Sequence, residues 1–526
     1  MRRLIIIFLL AVVGQSVVGC GGKSASSDAV CVDSIVDSTS VVLSREVEML
    51  PDTSFASASA VHADIETVDT AVSGMLQSPD DLYADTPGAF TFRKGSRRTA
   101  DFGGTLSGEP TEIIVDWTFV TDEDYTQTKY GAWGGGTGWT GQPLYVCWPD
   151  SSIAAFSKAG HQGVPKEEIM VGSLSGSVYF IDFDTGKPSR KPIDTGNPIK
   201  GTISLDPMLN GNLYVGQGLS ARKEVGALVI NLNRHDITHV FGPDRKARRR
   251  WEAYDSSPVR VGQFLFRPGE NGTLYKFMIT PGALTLHSAL RYTVSGGAPG
   301  MEASMAVYHN YGYIADNAGN IICVNLNTLK PVWRYKLPDD VDSTPVVCEE
   351  ADGGVYVYTG CEVEHGDLKH ASFVKLDALT GKEIWVTKSE AYRADVNEKH
   401  FDGGYYATAL PGSGDCKDLI FVNLVRNTDG QNGEFVAFER KSGKIAYSVP
   451  LRYYAWSSPV GFMASGNKQY VVTADCSGRM YLIKGIDGRV VTSRQIGSNF
   501  ESSPVVTGNH LVVGSRGNTI YKLSVR

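Results

Sequence analysis

A short phrase recurs along this chain and constrains its fold more than any other feature. It opens with two small residues, a proline and a valine, runs through two apolar segments, and closes in a Thr-Gly-Lys-like turn followed by an aromatic residue. The fullest copy begins Asp342-Ser343-Thr344-Pro345-Val346, passes through Val355-Tyr356-Val357-Tyr358 and ends Thr380-Gly381-Lys382-Glu383-Ile384-Trp385. Ser256-Ser257-Pro258-Val259, Ser457-Ser458-Pro459-Val460 and Ser502-Ser503-Pro504-Val505 repeat the opening, while Thr185-Gly186-Lys187 and Ser442-Gly443-Lys444 repeat the turn. Worn openings stand at Gly201-Thr202-Ile203-Ser204 and Glu302-Ala303-Ser304.

Pro459 and Pro504 lie 45 residues apart, and Pro258 and Pro345 lie 87 apart, two such units once the worn copy at Ser304 is counted. A unit of this length holds four short strands, because its apolar residues alternate or run for five or six positions between Gly, Asn and Asp turns. Four-stranded sheets repeated around an axis make a β-propeller. The chain is therefore expected to be all-β, a single propeller with units near 142–195, 199–241, 255–292, 301–337, 342–388, 402–450, 455–497 and 500–526. That makes eight blades; seven stays open because the first two units are degenerate. The last unit supplies only three strands. Glu112 to Phe119 carries the tryptophan, Trp117, that closes other units at Trp333 and Trp385, so this N-terminal strand is expected to complete the last blade and remove an exposed edge.

The address is written at the N-terminus. Arg2 and Arg3 precede an apolar run from Leu4 to Val13 that is too short to span a bilayer, followed by Val17-Val18-Gly19-Cys20. This segment resembles a bacterial lipoprotein signal, which implies removal of residues 1–20 and lipidation of Cys20 by diacylglycerol and palmitate. The expected location is the outer membrane, lipid-anchored and facing the periplasm. Residues 21–108 are rich in Ser, Ala, Asp and Thr and are read as a flexible tether, with the propeller occupying 109–526. A net charge of -7 and no broad basic stripe argue against nucleic acid as the partner. Seven further cysteines, an odd number, are scattered, and most are read as small buried hydrophobes.

At Leu376 to Trp385 and Ser502 to Val506 the residues resemble the pyrroloquinoline-quinone (PQQ) propeller repeat, and the resemblance covers roughly 90–526. Relatives of that kind include quinoprotein dehydrogenases and the lipid-anchored, non-enzymatic propeller subunit of the outer-membrane β-barrel assembly machinery. Fold is a poor guide to chemistry in such a group. This chain has no adjacent cysteine pair of the kind quinoprotein alcohol dehydrogenases stack on the quinone, and no Cys-x-x-Cys-His, P-loop, Gly-x-Ser-x-Gly or His-Glu-x-x-His pattern. No catalytic residue, no metal and no cofactor, PQQ included, are expected. His235 and His239 fall four apart and are read as exposed strand histidines rather than ligands, and Asp182-x-Asp184-x-Gly186 as a turn.

Long insertions collect on the connections between second and third strands and between blades, which open on one face of a propeller. Two carry candidates for a binding surface. Tyr130, Trp133 and Trp139 sit on a glycine-rich loop, and Arg245, Arg248, Arg249, Arg250 and Trp251 form the dense basic cluster. The competing readings are aromatic rings folded back over the first blade and a merely solvated charged loop. The expected function is a lipid-anchored envelope scaffold that binds protein through this face, with a quinoprotein-like enzyme or a carbohydrate-binding envelope protein as the alternatives.

Overall fold

The computed structural model describes residues 49–526 apart from 79, 129–130, 139–140, 252, 365–368, 394–402 and 428–429. Eight sheets are arranged around one axis, each an antiparallel meander in which successive strands pair with their neighbours from the axis outward. The blades, numbered 1 to 8 in chain order, open with strands at Leu144–Cys147, Ser204–Leu205, Val259–Val261, Ala306–Tyr308, Val346–Glu349, Leu410–Pro411, Val460–Ala464 and Val505–Thr507. The blade count and boundaries follow the sequence period closely. In the last blade Ile113–Val120 pairs antiparallel with Thr519–Val525, from Ile113 opposite Val525 to Val120 opposite Thr519, so the ring closes as expected.

The repeated turn and the repeated aromatic explain each other. Gly381 of blade 5 has φ +71, a left-handed conformation that favours glycine, and an added Cβ would lie 2.5 Å from the indole of Trp333 in blade 4. Trp333 donates its Nε1–H to the carbonyl of Ala378 in that same turn at 2.9 Å. Trp385 docks in the same way on Gly443 of blade 6, with Nε1 to the Arg440 carbonyl at 2.9 Å. Trp117, on the closing strand, docks on Gly186 of blade 1 with Nε1 to the Phe183 carbonyl at 2.8 Å. Tyr447 replaces the indole against Gly488, and its hydroxyl bonds the Gly485 carbonyl. The Thr-Gly-Lys turn is thus a socket, and the aromatic at the end of one blade is the plug for the next. The turn at Asp182 is structural too: its Oδ1 accepts from the Thr185 amide at 2.8 Å and hydroxyl at 2.9 Å.

Residues 49–108 correct the expectation of a tether and the start of the folded body at 109. Val61–Thr67 pairs antiparallel with the outermost strand of blade 3, Val61 opposite Val294 and Thr67 opposite Ser288, and extends that sheet to five strands. Gly88–Ala89 pairs with Val146 and Tyr145 at the inner edge of blade 1. From there the chain crosses the axis and bonds to every other blade in turn. The Phe90 carbonyl accepts from Leu205 N in blade 2, Thr91 Oγ1 meets Ser257 Oγ of blade 3 at 3.0 Å, and the Ser96 and Arg97 carbonyls accept from Val307 N and Val347 N of blades 4 and 5. The Gly104 carbonyl accepts from Met463 N of blade 7, and Thr105 N donates to the Gly508 carbonyl of blade 8. Blade 6 is reached by the fully buried Arg93, which donates to the Ala409 carbonyl at 3.1 Å and to the Pro459 carbonyl at 2.8 Å. Arg98, also buried, donates to Met305 O and Ser257 O. Burial pulls both guanidinium groups below their ordinary pKa, Arg93 to about 9 and Arg98 to about 10. Serine- and glycine-rich composition concealed this segment, whose anchoring runs through backbone carbonyls and two arginines rather than through apolar periodicity.

His235 and His239 do not share a strand. His235 occupies the turn before Asp236–Phe241 with φ +56, half-buried against Phe180 and bonded to the Lys191 carbonyl at 2.7 Å, while His239 lies within the strand.

Candidate functional site

In blades 4 to 7 the residue just before the small-residue pair of the blade opening lines the centre of the ring. Glu302, Asp342, Tyr406 and Trp456 occupy this position in blades 4 to 7 and line one small axial cavity of about 10 Å³, with Phe92 of the crossing segment at its wall. Asp255 holds the same position in blade 3 and is buried in an ion pair with Lys200, its counterpart in blade 2. The looped face therefore encloses a run of carboxylates. Asp255, Glu270 and Glu302 bring their oxygens within 4.8 Å of one another, as do Asp340, Asp342 and Glu362. Burial pulls the Lys200 ammonium down, but the facing Asp255, Glu270 and Glu302 more than reverse this, and its pKa stands above the ordinary lysine value. Burial, joined by the neighbouring Glu302 and Asp255, pushes the Glu270 carboxyl well up. Sequence reasoning missed these groups, although an acid directly before the pair at Asp255, Asp342 and Glu501, and at the worn copy Glu302, was the signal.

The loops singled out from sequence converge above this funnel. Trp251 donates Nε1–H to Glu270 Oε2 at 2.6 Å, and Arg249 stacks over its ring at 5.8 Å. Trp133 is half-buried rather than free. Its ring lies 5.8 Å from Lys200 Nζ and 5.5 Å from the Arg516 guanidinium, and its Nε1 bonds Thr128 Oγ1 at 3.4 Å. A chain of contacts thus links Trp133, Lys200, Asp255, Glu270 and Trp251. Beside it opens a cleft of about 380 Å³ lined by Thr128, Leu219, Ser220, Glu224, Val225, Pro243, Arg250 and Trp251, drawn from three different inter-strand and inter-blade loops. Its shape, an apolar floor with a few charged groups at the rim, suits recognition of a side chain or short segment.

The basic cluster divides. Arg248 pairs with Asp64 at 3.1 Å and Lys246 with Glu66, so both clasp the added N-terminal strand. Glu66 also meets Arg291 at 2.8 Å, and Arg291 meets Asp244 at 2.7 Å. The hydrogen bond to Lys246 leads the effects that hold the Glu66 carboxyl below its ordinary value. Arg245 and Arg250 remain exposed, joined by the Arg250 guanidinium bond to the Arg245 carbonyl at 3.0 Å. Cys20, Tyr130 and Trp139 lie outside the described residues.

Comparison with known proteins places this geometry. A family profile described as outer membrane protein assembly factor BamB matches residues 249–400 and 425–526. Outer membrane protein assembly factor BamB of Yersinia pestis is 24% identical over 310 residues, covering 54% of this chain and 68% of that protein. The chain is a BamB-like PQQ-repeat propeller. The BamB-like ring also superposes on a quinohemoprotein alcohol dehydrogenase from Comamonas testosteroni, with a TM-score of 0.59, 13% identity and coverage of 84% of this chain and 81% of the other. A europium-containing methanol dehydrogenase gives a TM-score of 0.55 at 13% identity, with 84% and 99% covered. At that identity these two likenesses describe the fold.

Proposed function

We propose that this BamB-like propeller is a non-catalytic scaffold of the cell envelope that binds a protein partner through its looped face during outer-membrane protein assembly. The observation that carries the proposal is the 380 Å³ cleft, which Leu219 and Val225 of a blade 2 loop and Pro243 and Trp251 of the connection to blade 3 line beside exposed Arg250. Aromatic and arginine side chains at a concave apolar patch are the usual energetic centre of a protein interface. The relative of the same fold carries outer-membrane assembly in its name, which supports the partner class. Anchoring through a lipid on Cys20, on the periplasmic side of the outer membrane, belongs to the same proposal, because a ring held at the membrane meets its partners there. The axial cavity of about 10 Å³ lined by Glu302, Asp342 and Trp456 takes roughly one water-sized sphere, which favours binding over quinone chemistry at that point.

The test is in-cell crosslinking of the tagged protein followed by mass spectrometry of what it carries. Recovery of barrel-assembly components from the wild type, lost in Trp251→Ala with Leu219→Ala, supports the proposal. Recovery of polysaccharide-handling proteins alone, or an unchanged set of partners in the variant, overturns it.

A further inference from the structure

The two carboxylate triads differ in what neutralises them. Asp255, Glu270 and Glu302 have Lys200, ion-paired to Asp255, and Trp251 donating to Glu270. Asp340, Asp342 and Glu362 have no such ion pair among the described residues. The groups acting most strongly on Asp340 after burial are Glu302, Glu364, Asp316 and Asp339, all carboxylates. Glu362 is 3% exposed and Asp340 9% exposed, yet Glu362 Oε1 and Asp340 Oδ1 have no hydrogen-bond partner. A buried, unpaired carboxylate oxygen is costly. Asp255 and Glu270 carry such oxygens too, but Lys200 stands among them; in the second triad, where no ion pair is made among the described residues, they point to a ligand that supplies positive charge.

The spacing suits a particular class of ion. Calcium binds oxygens at about 2.3–2.6 Å, so two ligand atoms on opposite sides of the ion stand at most about 5 Å apart. The three carboxylate oxygens lie within 4.8 Å of one another. We propose that Asp340, Asp342 and Glu362 of blade 5 hold a hard, oxygen-seeking cation of the calcium class on the looped side of the ring. Asp340 and Asp342 come from the connection entering blade 5, and Glu362 from the connection after its second strand, which runs Val355–Gly360. The ion ties these two loops together beside Glu302 of blade 4. Its role is structural, fixing the loops of blade 5 on the binding face.

The full-length protein, stripped with EDTA, is titrated with Ca2+ while thermal unfolding is followed, and separately with Tb3+ while tryptophan-sensitised emission is read. Trp456 shares the axial cavity with Asp342 and serves as the donor. Calcium is expected to raise the unfolding midpoint by a few degrees, and terbium to give saturable emission that calcium displaces. The double variant Asp340→Asn with Glu362→Gln should melt higher than the stripped wild type without calcium, because two buried carboxyls crowded by others are replaced by amides, and should lose both responses. Glu270→Gln, in the triad served by Lys200, should keep them. Identical melting of the wild type in EDTA and calcium with no terbium emission would mean a network neutralised by protons alone and overturns the proposal. So does a double variant that responds like the wild type.

Discussion

Blades 4 to 8 and blades 1 to 3 solve one problem in two ways. At the junctions of blades 4 with 5, 5 with 6, 6 with 7 and 8 with 1, an aromatic from one blade fills the glycine socket of the next. At the three junctions from blade 1 to blade 4 the tryptophan is absent. Thr238 of blade 2 meets Gly282 of blade 3 with a hydroxyl-to-carbonyl bond of 2.6 Å. Lys276 of blade 3 reaches the turn of blade 4 with Nζ donating to the Leu326 carbonyl at 2.8 Å and the Asn327 carbonyl at 3.2 Å. The N-terminal chain makes up the difference: Val61–Thr67 extends blade 3, Gly88–Ala89 extends blade 1, and the Gly74 carbonyl accepts from the same Lys276. A repeated contact can decay where another part of the chain takes over its burial and its hydrogen bonds. The cleft lies in the same half of the ring, on the face away from these turns.

The largest loss of stability is expected in the regular half. Trp333 is fully buried, and Trp333→Ala should cost about 3–5 kcal/mol in denaturant unfolding. Next comes the lysine that replaces it at the blade 3–4 junction. Burial pulls Lys276 from 10.5 to about 7. Its unfolded form binds the proton more tightly, so this group should make stability rise with pH between about 7 and 10.5, by a few kcal/mol at most; below that window its cost is full and constant, and it adds no slope. Lys276→Met should flatten the rise, as read from unfolding midpoints across pH. Arg93→Met leaves the Ala409 and Pro459 carbonyls unpaired at the centre of the ring and should cost about 2 kcal/mol in the same assay. Thr238→Val removes a single neutral hydrogen bond at the blade 2–3 junction, worth about 1 kcal/mol. The smallest change is Glu66→Gln, which weakens partly exposed pairs to Lys246 and Arg291 and should cost under about 1 kcal/mol, with the difference shrinking in high salt.

The same contrast explains what the sequence made legible. Where contact is made by a repeated motif, the period, the blade count and the closing strand at Trp117 could all be read, because a socket glycine and its aromatic recur at fixed offsets. Residues 49–108 could not be read that way. Arg93, Arg98 and the Ser96 and Arg97 carbonyls are anchored one by one to different blades, a pattern with no period, and their serine-, alanine- and glycine-rich surroundings resemble a linker. The basic loop was half legible. Its charge density was plain, but the partners of Lys246 and Arg248, Glu66 and Asp64, lie about 180 residues earlier and only the added strand brings them together. The axial carboxylates stood in the repeat itself, one place before each small-residue pair. A small-residue pair before Pro-Val reads as a strand start, and nothing in the repeat marks the position ahead of it as axial.

The proposed binding belongs to the looped face of the irregular half. Its most direct test is a photo-crosslinking amino acid placed in cells at Leu219, in the cleft, or at Ile384, exposed on the outer strand of blade 5. A discrete crosslinked partner is expected from position 219 and none from position 384. A partner captured at 384 alone, or equally at both, would contradict it.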